Sequence, residues 1–208
     1  IRTHKKHTNK LQYLRMKNIN MQKIKIIFIP GNGGGSTNST ESFFPYIAKE
    51  MAKENSENIE IISPGVYPDA ELARASYWLP YLEQLGADEN TILVGHSSGA
   101  MAAMRYAENH KIIGSVLVTP YHTTLGFKEE ELSGYFDKAF DWEAMKQNQK
   151  FIIQFNSSTD PFIPLSEEHF VHEKLGSEYH ELDAGHFYPM PEFPELIKAL
   201  KENLNNLL

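Results

Sequence analysis

The chain predicts an α/β fold: one domain around a mostly parallel sheet of about six strands, with helices on both faces. Three observations predict it. Short apolar runs alternate with helical patterns along the chain, the order that right-handed crossovers between parallel strands produce. Several runs are apolar at successive positions, as expected of strands covered on both faces. Gly95-His-Ser-Ser-Gly99 stands between the apolar run Asn90–Val94 and the small-residue helical pattern Ala100–Tyr106, a strand, tight turn and helix in direct succession. A length of 208 residues suits one such domain with a substantial core and is short for two.

Taken in order, Ile24–Ile29 reads as a buried strand closed by the loop Pro30-Gly-Asn-Gly-Gly-Gly35. Helical periodicity follows over Ser42–Lys53, then a strand at Ile59–Ile62 ending at Ser63-Pro-Gly65, then a helix over about Ala70–Leu85 in which Pro80 predicts a kink or break. After the Gly95–Gly99 turn and its helix comes a strand at Ile112–Val118. Thr119–Lys150 is a stretch without a clear strand. A strand at Phe151–Phe155, a helix near Glu167–Leu175, a strand at Glu178–Leu182 and a helix over Glu192–Leu207 complete the chain. No repeat or linker composition marks a second domain.

Composition excludes several function classes. The chain has no cysteine, which removes disulfide scaffolds, thiol nucleophiles and cysteine-ligated metals. No run approaches the ~18 apolar residues of a membrane span, so no membrane partner is expected. Residues 1–25 hold eight of the 20 Lys and Arg and no acid, which leaves the remainder near −15. Nucleic acid binding needs a basic face, so it is not expected of this acidic body. The basic head, residues 1–22, is read as a disordered or non-native extension, with residues 23–208 as the domain. Organellar targeting by that head is the alternative to a cytoplasmic location. The pattern Gly31-x-Gly33 fails as a dinucleotide fingerprint, because Ser36 takes the third glycine position and Ser63 stands where an acid should hold a ribose.

Gly-x-Ser-x-Gly in this context is a nucleophile elbow, with flanking glycines because side chains at Gly95 and Gly99 would collide with the neighbouring strand and helix. Ser97 is the candidate nucleophile, since Ser98 lacks glycines at minus two and plus two. Ser98 is assigned a backbone N–H for the oxyanion, and the loop after the first strand, Asn32 or Gly33, the second donor, with Asn32 preferred. A hydrolase of this type places acid and base after Ser in chain order, on loops at the carboxyl ends of strands. Asp160 follows the strand Phe151–Phe155, and His186 follows Glu178–Leu182. Asp141, in a helical stretch, and Asp183, close to His186, are the rival acids. Among the nine histidines, His96 is expected to point away from the site. His169 and His172 share a helical face, but without a His-Glu-x-x-His pattern or a third ligand no metal site is assigned.

The chain resembles the retinoblastoma-binding protein 9 group of small serine hydrolases, within the α/β-hydrolase fold. Carrying the resemblance are Pro30-Gly-Asn-Gly-Gly-Gly35, Trp78-Leu-Pro80, Gly95-His-Ser-Ser-Gly-Ala100, Met104-Arg-Tyr-Ala-Glu108, Ser133-Gly-Tyr-Phe136, Asp160-Pro-Phe-Ile-Pro164 and Gly185-His-Phe187, spread over residues 24–205. The resemblance implies Ser97 as nucleophile, Asp160 as acid and His186 as base, no cofactor and no large lid. The group is named for binding retinoblastoma protein through Leu-x-Cys-x-Glu, and here Leu85-Gly-Ala-Asp-Glu89 puts Ala87 in place of the cysteine, so that partner is not expected. Small carboxylic esters or amides are the expected substrates. Tyr121, Tyr135, Phe136, Phe140 and Trp142 are candidates for lining an acyl pocket, with covering the core as their other reading. The contrasting reading of the whole chain is a catalytically silent hydrolase fold used as a protein-binding module.

Overall fold

A computed structural model describes residues 23–55 and 58–207; the basic head at 1–22 lies outside the described residues. In chain order the elements are β1 (Ile24–Ile29), α1 (Phe44–Asn55), β2 (Ile59–Ile62), α2 (Ala75–Gln84), β3 (Thr91–His96), α3 (Ser98–Ala107), β4 (Gly114–Val118), α4 (Lys128–Ser133), α5 (Trp142–Gln147), β5 (Phe151–Ser157), α6 (Leu165–Leu175), β6 (Glu178–Leu182) and α7 (Pro194–Asn205). The six strands form one sheet in the order β2-β1-β3-β4-β5-β6, and every pairing is parallel.

The continuous apolar runs are explained by cover on both faces. Ile27, Ile29, Leu93 and Leu117 face Trp78 and Leu82 of α2, the alanines and methionines of α3, Met145 of α5 and Val171 of α6. Their neighbours Ile26, Phe28, Val94, Val116 and Phe155 face Phe44, Ile47 and Met51 of α1 and Leu196 and Leu200 of α7. Every residue of β3 and β4 is buried, whereas the edge strands β2 and β6 are partly exposed. Each fully buried side chain such as Phe28 or Leu93 stabilises the fold by about 1.5–3 kcal/mol.

Two expectations about helices are corrected. The segment expected to be helical from Ala70 begins its helix only at Ala75, because Asp69 and Ala73 hold positive φ (54° and 51°) and the Asp69 carboxylate grips the Arg74 guanidinium and backbone N–H. Pro80 does not break α2. It lies on the exposed side of the helix, and Ser76, whose carbonyl loses its i+4 donor, is exposed as well, so that carbonyl is not a buried unpaired group. The stretch Thr119–Lys150 contains the short helices α4 and α5. Asp141 caps α5 by accepting from the Ala144 N–H at 3.0 Å.

The direction of the sheet reverses its winding at β1 and β3, and a ligand crevice opens where the chain departs to opposite sides from two adjacent strand ends. Ile29, at the end of β1, is registered opposite Gly95, near the end of β3. Ser157, at the end of β5, is registered opposite Leu182. The loops carrying Asn32 and Ser97, and those carrying Asp160 and His186, therefore emerge in pairs at the same edge.

Candidate active site

Ser97 occupies the turn between β3 and α3 with φ 55° and ψ −120°, a conformation strained for a residue with a side chain. The glycines around it are there for space. A Cβ on Gly95 would lie within 3 Å of the Gly99 carbonyl, and one on Gly99 within 3 Å of the carbonyls of Ile29 and Pro30. The elbow is anchored by the Ser97 N–H, which donates to the Val118 carbonyl at 2.9 Å. The side chain of Ser97 faces a cavity of about 650 Å³ that is also lined by Asn32, His96, Tyr121, Glu130 and His186.

Asp160 and His186 meet. His186 Nδ1 lies 2.7 Å from Asp160 Oδ2, and the Asp160 side chain is fully shielded from solvent. The other carboxylate oxygen accepts from the N–H groups of Phe162 (2.8 Å) and Ile163 (3.0 Å), so the orientation of the carboxylate is fixed from two sides. An ionised carboxylate only accepts, so His186 carries its proton on Nδ1 and leaves Nε2 free for the cavity. The Ser97 hydroxyl makes no hydrogen bond to His186 among the described residues.

Residues that the sequence did not single out hold these two loops together. The Thr159 hydroxyl donates to Asp183 Oδ1 at 2.6 Å and accepts from the Gly185 N–H at 3.1 Å. Ser157 Oγ accepts from the Ala184 N–H at 3.2 Å. Asp183, the rival acid, is thus engaged with Thr159, one residue before Asp160. His96 also differs from expectation. Its Nε2 donates to the His186 carbonyl at 2.8 Å and the two rings lie 4.8 Å apart, so it points into the site. Burial pushes its pKa down to about 3, helped by the nearby His186, and the ring stays neutral. Its position inside the motif was the signal available in the sequence.

Between the two loop donors considered, geometry favours one. The Gly33 N–H is committed to the Glu71 carbonyl at 3.0 Å and the Gly34 N–H to the Ala70 carbonyl at 3.1 Å. The Asn32 N–H and the Ser98 N–H at the start of α3 have no acceptor among the described residues. Of the five aromatic candidates in 119–150, only Tyr121 lines the cavity. Tyr135 is buried in the core, while Phe136, Phe140 and Trp142 pack against it, with Phe140 covering the Arg105 guanidinium at 3.7 Å. The apolar wall comes instead from Leu125, Phe127, Phe162 and Tyr188, and Phe162 sets its ring edge-on to His186 at 5.1 Å. Among the described residues no three His, Asp or Glu side chains are grouped as a metal site would require, and no helix is long and apolar enough to cross a membrane.

Comparison with known proteins agrees with this architecture. The profile of the "Alpha/beta hydrolase family" matches residues 26–147. The serine hydrolase RBBP9 of Rattus norvegicus is 41% identical over 186 residues, covering 88% of this chain and 97% of that one. The putative hydrolase YdeN of Bacillus subtilis is 25% identical over 170 residues, covering 78% and 87% respectively. The crystal structure of the B. subtilis ydeN gene product superposes with a TM-score of 0.74 at 22% identity, over 87% of this chain and 98% of that one, and so shares its fold. The chain therefore belongs to the alpha/beta hydrolase family, as one of its serine hydrolases.

Proposed function

We propose that the protein hydrolyses small carboxylic esters or amides through an acyl-enzyme, with Ser97 as nucleophile, His186 as base and Asp160 as the acid that orients it. The observation that carries this reading is the 2.7 Å contact of His186 with a shielded Asp160 beside the cavity that Ser97 lines. His186 Nε2 takes the Ser97 proton as Oγ attacks the carbonyl carbon, and later returns it to the leaving group. Asp160 keeps Nδ1 protonated and stabilises the imidazolium. The N–H groups of Asn32 and Ser98 take up the charge on the carbonyl oxygen, for which each such donor is worth about 10²–10³ in rate. His96 fixes the His186 backbone and, being neutral, adds no charge that would compete with the imidazolium. A cavity of about 650 Å³ walled by Leu125, Phe127 and Phe162 suits an acyl or leaving group of modest size with an apolar part.

Labelling with a fluorophosphonate probe tests the assignment. Wild type is expected to label, Ser97→Ala to lose labelling, and His186→Ala to be slowed by at least about a hundredfold. Labelling retained in Ser97→Ala overturns the nucleophile, and well-folded wild type that does not label points to a binding module without turnover.

A further inference from the structure

We propose that Glu130 is a positioning residue: its carboxyl group holds the Asn32 side chain and through it aims the Asn32 backbone N–H at the oxyanion. This rests on the assignment of Asn32 and Ser98 as oxyanion donors above. Glu130 Oε1 accepts from Asn32 Nδ2 at 3.2 Å, across 98 residues of sequence. Glu130 is buried, with 6% exposure, and its position on α4 places it in the segment that follows β4. A buried carboxyl costs stability unless it is partnered; Oε1 has Asn32, while Oε2 makes no hydrogen bond among the described residues.

The loop after β1 shows what that positioning role is. Its far side is tied at Gly33 and Gly34 to the carbonyls of Glu71 and Ala70, and its near side ends at Pro30. Asn32 lies between these anchors, and among the described residues its side chain makes one hydrogen bond, the one to Glu130. The Tyr121 and Ser98 hydroxyls, themselves 3.5 Å apart, lie near the same carboxyl, which thus stands between the loop after β1, the elbow helix and the loop after β4. Burial raises the Glu130 carboxyl above the usual carboxylate range, with Glu129 adding to the rise and the Tyr121 and Ser98 hydroxyls opposing it. Glu130→Gln keeps an oxygen where Oε1 accepts from Asn32, so it is the conservative replacement.

The test compares wild type, Glu130→Ala, Glu130→Gln, Asn32→Ala, the Asn32→Ala/Glu130→Ala double variant and Ser97→Ala. The readouts are p-nitrophenyl acetate hydrolysis, the rate of fluorophosphonate labelling and thermal unfolding. Glu130→Ala is expected to lower kcat and the labelling rate by at least about tenfold with KM within about threefold, because an oxyanion donor acts in the transition state. Glu130→Gln should stay within about threefold of wild type, and adding Glu130→Ala to Asn32→Ala should cost less than about twofold more, since both remove the same tether. Wild-type kcat in Glu130→Ala, an additive double variant, or equal loss in Glu130→Gln and Glu130→Ala overturns the proposal. If Glu130→Ala does not fold, Asn32→Ala decides, because it keeps the backbone N–H and loses only the tether: wild-type kcat there overturns the proposal. Ser97→Ala separates the two levels. Activity surviving in it removes the reading of the site, whereas an inert Ser97→Ala beside a fully active Glu130→Ala removes the role of Glu130 alone.

Discussion

Glu168 makes the stability of this protein depend on pH in a way that one substitution should erase. The residue sits on α6 with 0% exposure, accepts from the Ser157 N–H at 3.2 Å through Oε2, and leaves Oε1 without a hydrogen bond among the described residues. Burial pushes its pKa up to about 9, and the carboxylates of Asp160 and Glu181 push the same way. The unfolded chain gives up this proton near 4.5, the ordinary glutamate value, while the folded chain keeps it, so between those two values the unfolded state binds fewer protons and folding stability falls as pH rises. The slope from one such group is about 1.4 kcal/mol per pH unit, or at most about 4 kcal/mol between pH 5 and pH 8. Glu168→Gln keeps an oxygen for the Ser157 N–H and carries no titrating proton. Urea unfolding of both proteins at pH 5, 6, 7 and 8 should show Glu168→Gln gaining on wild type by at least about 2 kcal/mol across the series, with all other groups cancelling in the difference. Parallel curves would mean that Glu168 ionises normally in the folded state, and the reasoning from burial would fail.

Two further variants probe the site through its scaffold. Gly99→Ala forces a Cβ onto the Ile29 and Pro30 carbonyls, so β1 and α3 must separate; unfolding free energy should drop by about 1–3 kcal/mol, and a change under about 0.5 kcal/mol shows that the approach is not tight. Thr159→Val keeps the shape of the side chain but unpairs the Gly185 N–H and Asp183. Steady-state hydrolysis of p-nitrophenyl acetate should then lose about tenfold in kcat, with at most about 1.5 kcal/mol lost in stability at this exposed position, and an unchanged kcat shows that His186 is held without this staple.

What the sequence makes legible here is local or ordinal. The elbow can be read because its glycines stand between an apolar run and a small-residue helical pattern, and the buried strands can be read because cover on both faces leaves Lys25 as the one polar position in β1 and confines those of β3 to its ends, Thr91 and His96. Asp160 and His186 could be found by where they fall after successive strands, and their meeting follows from the pairing of β5 with β6. Glu130 could not be found this way. It stands in the run Lys128-Glu-Glu-Glu131, and which of three glutamates turns inward depends on how a six-residue helix is set down on the cavity. Of the five aromatic candidates in 119–150, all but Tyr121 took their other reading, covering the core, for the same reason: Phe140 and Trp142 are placed by Arg105 and the core, not by a local pattern. Pro80 misled because a rule about lost hydrogen bonds has little force on a helix face open to water.

The strand β6 has one neighbour in the sheet and is partly exposed, whereas β3 has two and is wholly buried. His186 depends on the first and Ser97 on the second. The site is therefore divided between a part of the fold that opens at low free energy and a part that opens only when the sheet is lost. On warming, fraying of the outer strand withdraws His186 while Ser97 stays on its turn. Activity should then disappear below the temperature at which the sheet melts, and should return on cooling as long as the central strands have stayed paired.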